Sequence, residues 1–82
     1  MVKDKTREVI CSEVARLLRV ERNKRGLSLN QLAEQARVSR QMLSYVEQEK
    51  RNPSLDTLLR ITDALEVRLE DLLKRARTGL NV

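Results

Sequence analysis

Residues 28–48 read SLNQLAEQARVSRQMLSYVEQ and contain the start signals of two short helices. Ser28 is followed three residues later by Gln31, which is the spacing of a capping box at the start of a helix. Ser39 is a second candidate N-cap, and residues 37–38 form the turn before it. Two short helices joined by a turn of about three to four residues constitute a helix-turn-helix, and we predict one here.

A longer helix is predicted before this stretch. Over about residues 6–25, apolar side chains recur at helical spacing. Asp4 or Thr6 is expected to cap its start. Gly26 is expected to end it, because glycine adopts the positive φ that a helix C-terminus often needs.

Two more helices are predicted after residues 28–48. The Asn-Pro pair at 52–53 breaks the chain, since a proline disfavours helical backbone in the residue before it. Ser54 then caps a fourth helix, and a fifth spans about 69–77 and is closed by Gly79. No strand-like alternation competes with these signals. We therefore predict an all-α, compact five-helix bundle that forms a single domain over residues 1–82.

The composition excludes several classes of protein. The 82 residues include no His, Trp or Phe, and the only cysteine is Cys11. Without imidazole and with one thiol, neither a nucleophile–base pair nor a zinc site can be assembled, so we expect no enzyme activity, cofactor or metal. No apolar run approaches the roughly 18 residues of a membrane span, and no signal peptide follows the polar N-terminus. We expect a cytoplasmic protein without membrane association, with Cys11 half-buried as a small hydrophobe.

The formal net charge of +5 is unevenly distributed. Residues 1–26 carry +4, residues 27–53 carry +1 and residues 54–82 are neutral. This excess either favours an anionic partner such as nucleic acid or only keeps a solvated surface soluble. Four cations are expected on a solvated face of the first helix, with some contact to a DNA backbone: Arg19, Arg22, Lys24 and Arg25.

The third helix has a polar outward face. Leu43 and Val46 are expected to face the core, which leaves Gln48 near the helix end and four further side chains on the outside: Arg40, Gln41, Ser44 and Tyr45. Hydrogen-bond donors and acceptors exposed along one helix are what the reading of DNA base edges requires.

Three strings carry a family resemblance: LSLNQLAE at 27–34, VSRQMLS at 38–44 and KRNPSL at 50–55. Together they resemble the lambda-repressor/Cro-like helix-turn-helix family, also called the xenobiotic-response-element (XRE) family. The resemblance covers about residues 17–73 and leaves 6–16 as a helical N-terminal extension. It implies a five-helix bundle that binds operator DNA as a dimer, similar to small phage repressors and to the controller proteins of restriction-modification systems.

The resemblance also implies roles for individual residues. Four positions of the third helix would read bases: Arg40, Gln41, Ser44 and Tyr45. Arg40 would pair with guanine and Gln41 with adenine, each good pair contributing roughly 1–3 kcal/mol of discrimination. Six positions would contact phosphates: Ser28, Asn30, Ser39, Lys50, Arg51 and Asn52. Arg37 and Glu49 stand where the family frequently has Gly, so we expect positive φ at both, at a cost of about 1 kcal/mol.

Two alternatives stay open among these residues. Tyr45 either touches DNA or packs its ring over the third helix. Lys50 and Arg51 either contact phosphates or form surface ion pairs with Glu47 and Glu49.

The last third of the chain carries an apolar stripe that is more than one short bundle can easily cover: Leu65, Val67, Leu69, Leu72, Leu73 and Leu80. We assign the first five to a two-fold dimer interface, as the family suggests.

The sequence therefore predicts a DNA-binding transcriptional regulator that acts as a homodimer on a pseudo-palindromic operator in double-stranded DNA. No small-molecule effector is expected. The alternative is a protein-binding adaptor or antitoxin, which would show an apolar patch on the outward face of the third helix. An RNA-binding role is disfavoured because stacking on bases needs aromatic side chains, and only Tyr45 is present.

Overall fold

The computed structural model describes residues 3–79, and that range contains five α-helices. In chain order they are α1 (Lys3–Lys24), α2 (Leu29–Ala36), α3 (Arg40–Glu47), α4 (Leu55–Ala64) and α5 (Leu69–Thr78). The all-α, five-helix prediction is confirmed. The helix-turn-helix consists of α2, α3 and the short turn between them.

Serine residues begin three of these helices. The Ser28 hydroxyl oxygen accepts the Gln31 N–H at 3.0 Å, and the Gln31 side chain accepts the Ser28 N–H at 2.8 Å, which confirms the capping box. Ser39 and Ser54 accept the backbone N–H three residues later at 3.0 and 3.1 Å. Such a cap stabilises a helix by about 1 kcal/mol, so these serines set the boundaries of α2, α3 and α4.

Each of the four connections between consecutive helices contains one residue with left-handed backbone conformation. Gly26 has φ 66°, and Arg37 and Glu49 have φ 59° and 63°, as predicted. Glu66 has φ 59°, which the sequence did not indicate. Gly79 has φ −66°, so the end of α5 does not depend on the conformational freedom of that glycine.

The start of α1 lies earlier than predicted. The helix begins at Lys3, so Asp4 and Thr6 lie inside it and neither is its N-cap. No proline or glycine interrupts the first residues, and lysine is a good helix former, so the helix extends towards the N-terminus. Within residues 3–79, no helix combines the length and the apolar character that crossing a membrane requires.

Each helix contributes a fully buried side chain to one core: Leu18, Leu32, Leu43, Ile61 and Leu72. The α1 helix packs against α3 and α5, α2 packs against α3 and α4, and α4 contacts α5. The α3 helix is thereby held on its inner side by α1 and α2. Its other side is free to present residues to solvent.

The burial pattern corrects part of the predicted dimer interface. Leu65 and Leu72 are fully buried in the core, so they leave no surface for a second copy to contact. Leu65 is the C-cap of α4 and Leu72 lies in α5, and both belong to the core cluster because α4 and α5 pack against the other helices with these positions facing inward. Val67 and Leu69 are half-buried, and Leu73 is exposed. Leu80 lies outside the described residues. The exposed large apolar side chains also include three that were not predicted: Val9, Leu55 and Leu59.

Candidate nucleic-acid interface

The outward face of α3 carries the four predicted base-reading residues. Arg40 and Gln41 are exposed, and Ser44 and Tyr45 are half-buried one turn further along. The opposite face of α3 holds its buried positions, including Leu43. The helical period therefore places the four polar side chains on one surface, as the sequence predicted.

Two side-chain hydrogen bonds run along this surface. The Gln41 amide nitrogen Nε2 donates to the Tyr45 hydroxyl at 2.9 Å, and the Gln48 Nε2 donates to the Ser44 hydroxyl at 2.7 Å. Both pairs are spaced by four residues, which brings side chains together on a helix. The polar groups of α3 are therefore partly fixed in orientation.

The predicted phosphate contacts on α2 and α3 lie at the helix N-termini. Ser28 and Ser39 are N-caps whose oxygens accept backbone N–H groups, which leaves each hydroxyl hydrogen available to donate. Asn30 is exposed in the first turn of α2. Helix N-termini carry partial positive charge and free N–H groups, so these positions suit anionic oxygen atoms.

The other predicted phosphate contacts lie in the loop that follows α3. Lys50, Arg51 and Asn52 are exposed, and the Tyr45 carbonyl accepts the Lys50 N–H at 2.8 Å, which ties the loop to the helix. Among the described residues, the side chains of Lys50 and Arg51 form no ion pair. The alternative pairing with Glu47 is thus not formed, because that carboxylate is bound elsewhere.

The carboxylate of Glu47 is held by α1. The Arg22 guanidinium donates from Nε to Oε2 at 2.7 Å and from Nη2 to Oε1 at 2.9 Å. It also donates to the Leu27 carbonyl at 2.8 Å, and Arg19 donates to the Glu47 carbonyl at 2.9 Å. The hydrogen bond to Glu47 raises the pKa of Arg22. The solvated face predicted for Arg19 and Arg22 is therefore wrong, since both are half-buried and bind Glu47 at the C-terminal end of α3.

The sequence contains a signal that Glu47 is buried and paired with a cation. Glu47 follows Val46 directly and lies four residues after Leu43, so the helical period places it on the inward side of α3. A carboxylate at such a position needs a buried partner, because burying an unpaired charge costs several kcal/mol (about 3–5 when one partner is removed). The spacing does not show which of the arginines in α1 provides the partner.

A second buried carboxylate connects α1 with α5. Glu21 contacts three cations: Arg25 in a short hydrogen bond, Arg75 at 3.1 Å and Lys24 at 3.7 Å. The hydrogen bond from Arg25 is the main reason that the pKa of Glu21 lies below its ordinary value, with smaller contributions from Arg75 and Lys24. Lys24 and Arg25 are exposed, as predicted, but they also neutralise this carboxylate.

Comparison with known proteins agrees with this geometry. A family model described as helix-turn-helix matches residues 18–72, which includes α2, α3 and α4 and most of the core. The chain therefore belongs to the helix-turn-helix family of DNA-binding proteins, in its XRE type. The match agrees with the resemblance predicted for residues 17–73.

Relatives and solved structures extend the comparison. The chain is 38% identical over 60 residues to the HTH-type transcriptional regulator SlrR of Bacillus subtilis (strain 168). That match covers 72% of this chain and 40% of SlrR, so the chain spans about two fifths of that curated relative. The clp gene regulator ClgR from Corynebacterium glutamicum has a crystal structure with a TM-score of 0.76 and 30% identity. The match covers 84% of this chain and 88% of that one.

The crystal structure of a mutant of the restriction-modification controller protein C.Esp1396I has the same fold. Its TM-score is 0.77 at 22% identity, with 87% of this chain and 90% of that chain covered. Together with ClgR, it shows that the five-helix arrangement is that of helix-turn-helix regulators.

Proposed function

We propose that this protein is a sequence-specific transcriptional regulator that inserts α3 into the major groove of double-stranded DNA. One observation carries the proposal, namely the exposure of Arg40 and Gln41 beside Ser44 and Tyr45 on a single helix face. These side chains offer donors and acceptors that match base edges. A regulator of this kind acts where the chromosome lies, so we expect it in the cytoplasm.

The backbone of the DNA would be bound on both sides of α3. The capped N-termini of α2 and α3 supply Ser28, Asn30 and Ser39, and the loop after α3 supplies Lys50 and Arg51 with Asn52. These contacts fix the register of the protein on the duplex, whereas base contacts carry the sequence information.

We propose that two copies bind a pseudo-palindromic operator, with α3 helices about 34–36 Å apart in successive major grooves. Exposed Leu73 and half-buried Val67 and Leu69 are the remaining candidates for the two-fold interface, because Leu65 and Leu72 are buried. Sedimentation across concentration tests this assembly. A Leu73→Glu variant is expected to shift it towards monomer, and a wild-type protein that stays monomeric at micromolar concentration with operator DNA would contradict it.

Selection from a random DNA pool tests sequence recognition. Wild-type protein is expected to enrich one motif with two related halves. Arg40→Ala and Gln41→Ala combined in one variant should remove sequence preference and leave weaker, salt-dependent binding. Lys74→Ala is the matched control, because it removes one exposed positive charge from α5, away from α3. If wild-type protein enriches no motif, the proposal is wrong.

The protein-binding alternative receives no support from α3. An adaptor or antitoxin surface there would need apolar side chains, and the exposed positions of α3 are polar. We therefore favour DNA as the partner of this face.

A further inference from the structure

The side chain of Gln41, on the outward face of α3, is hydrogen-bonded to Tyr45. An exposed glutamine on a helix normally samples several rotamers and both orientations of its amide group. Here Gln41 is exposed, but its Nε2 is held at 2.9 Å from the hydroxyl of Tyr45. Tyr45 is half-buried, so it provides a better anchored end of the pair.

The hydrogen bond also changes what the Gln41 amide can offer to a base. A free glutamine amide has two N–H donors and a carbonyl acceptor. Once Tyr45 accepts from one N–H, one donor and the carbonyl remain. Adenine presents one acceptor and one donor in the major groove, which matches that remainder, whereas guanine presents two acceptors.

We propose that Tyr45 is a positioning residue, which acts through Gln41 to make it select adenine over guanine. The inference rests on the proposed function, since it concerns how the same surface reads DNA. It gives Tyr45 a role that neither alternative included, because its hydroxyl would orient Gln41, and Gln41 rather than Tyr45 would contact the base.

Tyr45→Phe is the appropriate variant because it removes only the hydroxyl. The ring is retained, and the backbone carbonyl that accepts the Lys50 N–H is unchanged. The loop after α3 should therefore keep its position. Gln48→Ala is the matched control, because it removes a hydrogen bond of the same spacing, to Ser44, from the same helix.

The experiment measures the affinity ratio for two duplexes that carry adenine or guanine at the base read by Gln41. That base is identified as the position whose preference is lost when Gln41→Ala is put through the same selection. Tyr45→Phe is expected to lower the adenine-to-guanine ratio by roughly three- to tenfold, since each immobilised side chain contributes on that scale. Gln48→Ala should leave this ratio unchanged.

A double-mutant comparison separates positioning from direct contact. In a Gln41→Ala background, Tyr45→Phe is expected to have no further effect on the ratio. An equal loss in both backgrounds would mean that Tyr45 reads the base itself and would overturn the inference. An unchanged ratio in the single variant, or a Gln41→Ala protein with unaltered base preferences, would overturn it too. The proposed function fails separately, by enrichment of no motif with wild-type protein.

Discussion

Arg22 of α1 and Glu47 of α3 form a two-pronged ion pair between parts of the chain that are 25 residues apart. The side chains are only 14% and 5% exposed. Because the planar guanidinium meets both carboxylate oxygens, the pair fixes an orientation as well as a distance. The end of α3 is thereby fastened to the longest helix of the bundle, close to the loop that carries Lys50 and Arg51.

Removing one partner of this pair should be strongly destabilising. Arg22→Ala leaves the Glu47 carboxylate buried without a counter-charge, and we expect a loss of about 3–5 kcal/mol in the free energy of unfolding. That is a large part of the total free energy of unfolding of such a domain, which is roughly 5–15 kcal/mol. Urea denaturation followed by circular dichroism at 222 nm (a far-ultraviolet helix signal) measures the change.

Arg22→Lys provides the control for charge alone. Lysine keeps the positive charge but cannot make the forked contact or reach the Leu27 carbonyl at the same time. Its stability should fall between those of wild type and Arg22→Ala. A loss below about 1 kcal/mol in Arg22→Ala would be typical of an exposed pair and would contradict the buried role.

Glu21 should make stability depend on pH. Its pKa in the folded protein is lowered, first by the hydrogen bond from Arg25, from an ordinary value of 4.5. A lowered carboxyl pKa stabilises the folded state above the unfolded-state pKa, and this contribution disappears as the pH falls through the folded-state pKa. Glu21→Gln should therefore be less stable than wild type at neutral pH, and the difference should shrink below about pH 4.

Stability measured from pH 7 down to pH 2 tests this expectation. Glu34→Gln serves as the control, because Glu34 is an exposed carboxylate on α2 with no ion pair among the described residues. A Glu21→Gln protein whose difference from wild type stays constant over this range would show that Glu21 contributes by packing alone.

The sequence predicted local features well and contacts between distant helices poorly. The capping box at Ser28, the N-caps at Ser39 and Ser54 and the left-handed Gly26 depend on neighbouring residues, so short patterns reveal them, whereas nothing in the sequence indicated the left-handed Glu66. The Arg22–Glu47 pair requires two helices to be placed against each other. Several cations in α1 are compatible with the partner role, and only the packing of the helices selects Arg22.

The predicted dimer interface was partly wrong for the same reason, since it too depends on how the helices pack. Helical spacing identifies which leucines share a face, but it does not show whether that face meets the core or a second copy. Leu65 and Leu72 meet the core, whereas Leu73 is exposed. On α3, by contrast, the exposed face was predicted correctly, since its polar and apolar residues separate clearly by helical period.

Salt dependence should distinguish phosphate contacts from base contacts. Each phosphate that a cation neutralises contributes about 0.9 to the slope of log affinity against log salt concentration. Lys50→Ala and Arg51→Ala are each expected to reduce the magnitude of that slope by about 1 and to weaken binding to all sequences alike. Fluorescence anisotropy with operator and random duplexes over a salt series measures both effects. An unchanged slope in both variants would remove the loop from the interface, and Lys74→Ala again supplies the control.

Left-handed backbone at Glu66 should cost stability that glycine would recover. Glu66 is exposed and has φ 59°, a conformation that costs an L-residue about 1–2 kcal/mol. Glycine adopts it freely but gains entropy in the unfolded chain, so Glu66→Gly should stabilise by a net amount of about 0.5 kcal/mol and raise Tm by roughly 2–4 °C.

Gly26→Ala is the reverse control. An added Cβ at Gly26 would meet no atom within 4 Å, so its expected loss of about 1 kcal/mol reports backbone conformation alone. Thermal unfolding of both variants measures the pair of opposite shifts, and a fall in Tm for Glu66→Gly would contradict the strain at that residue.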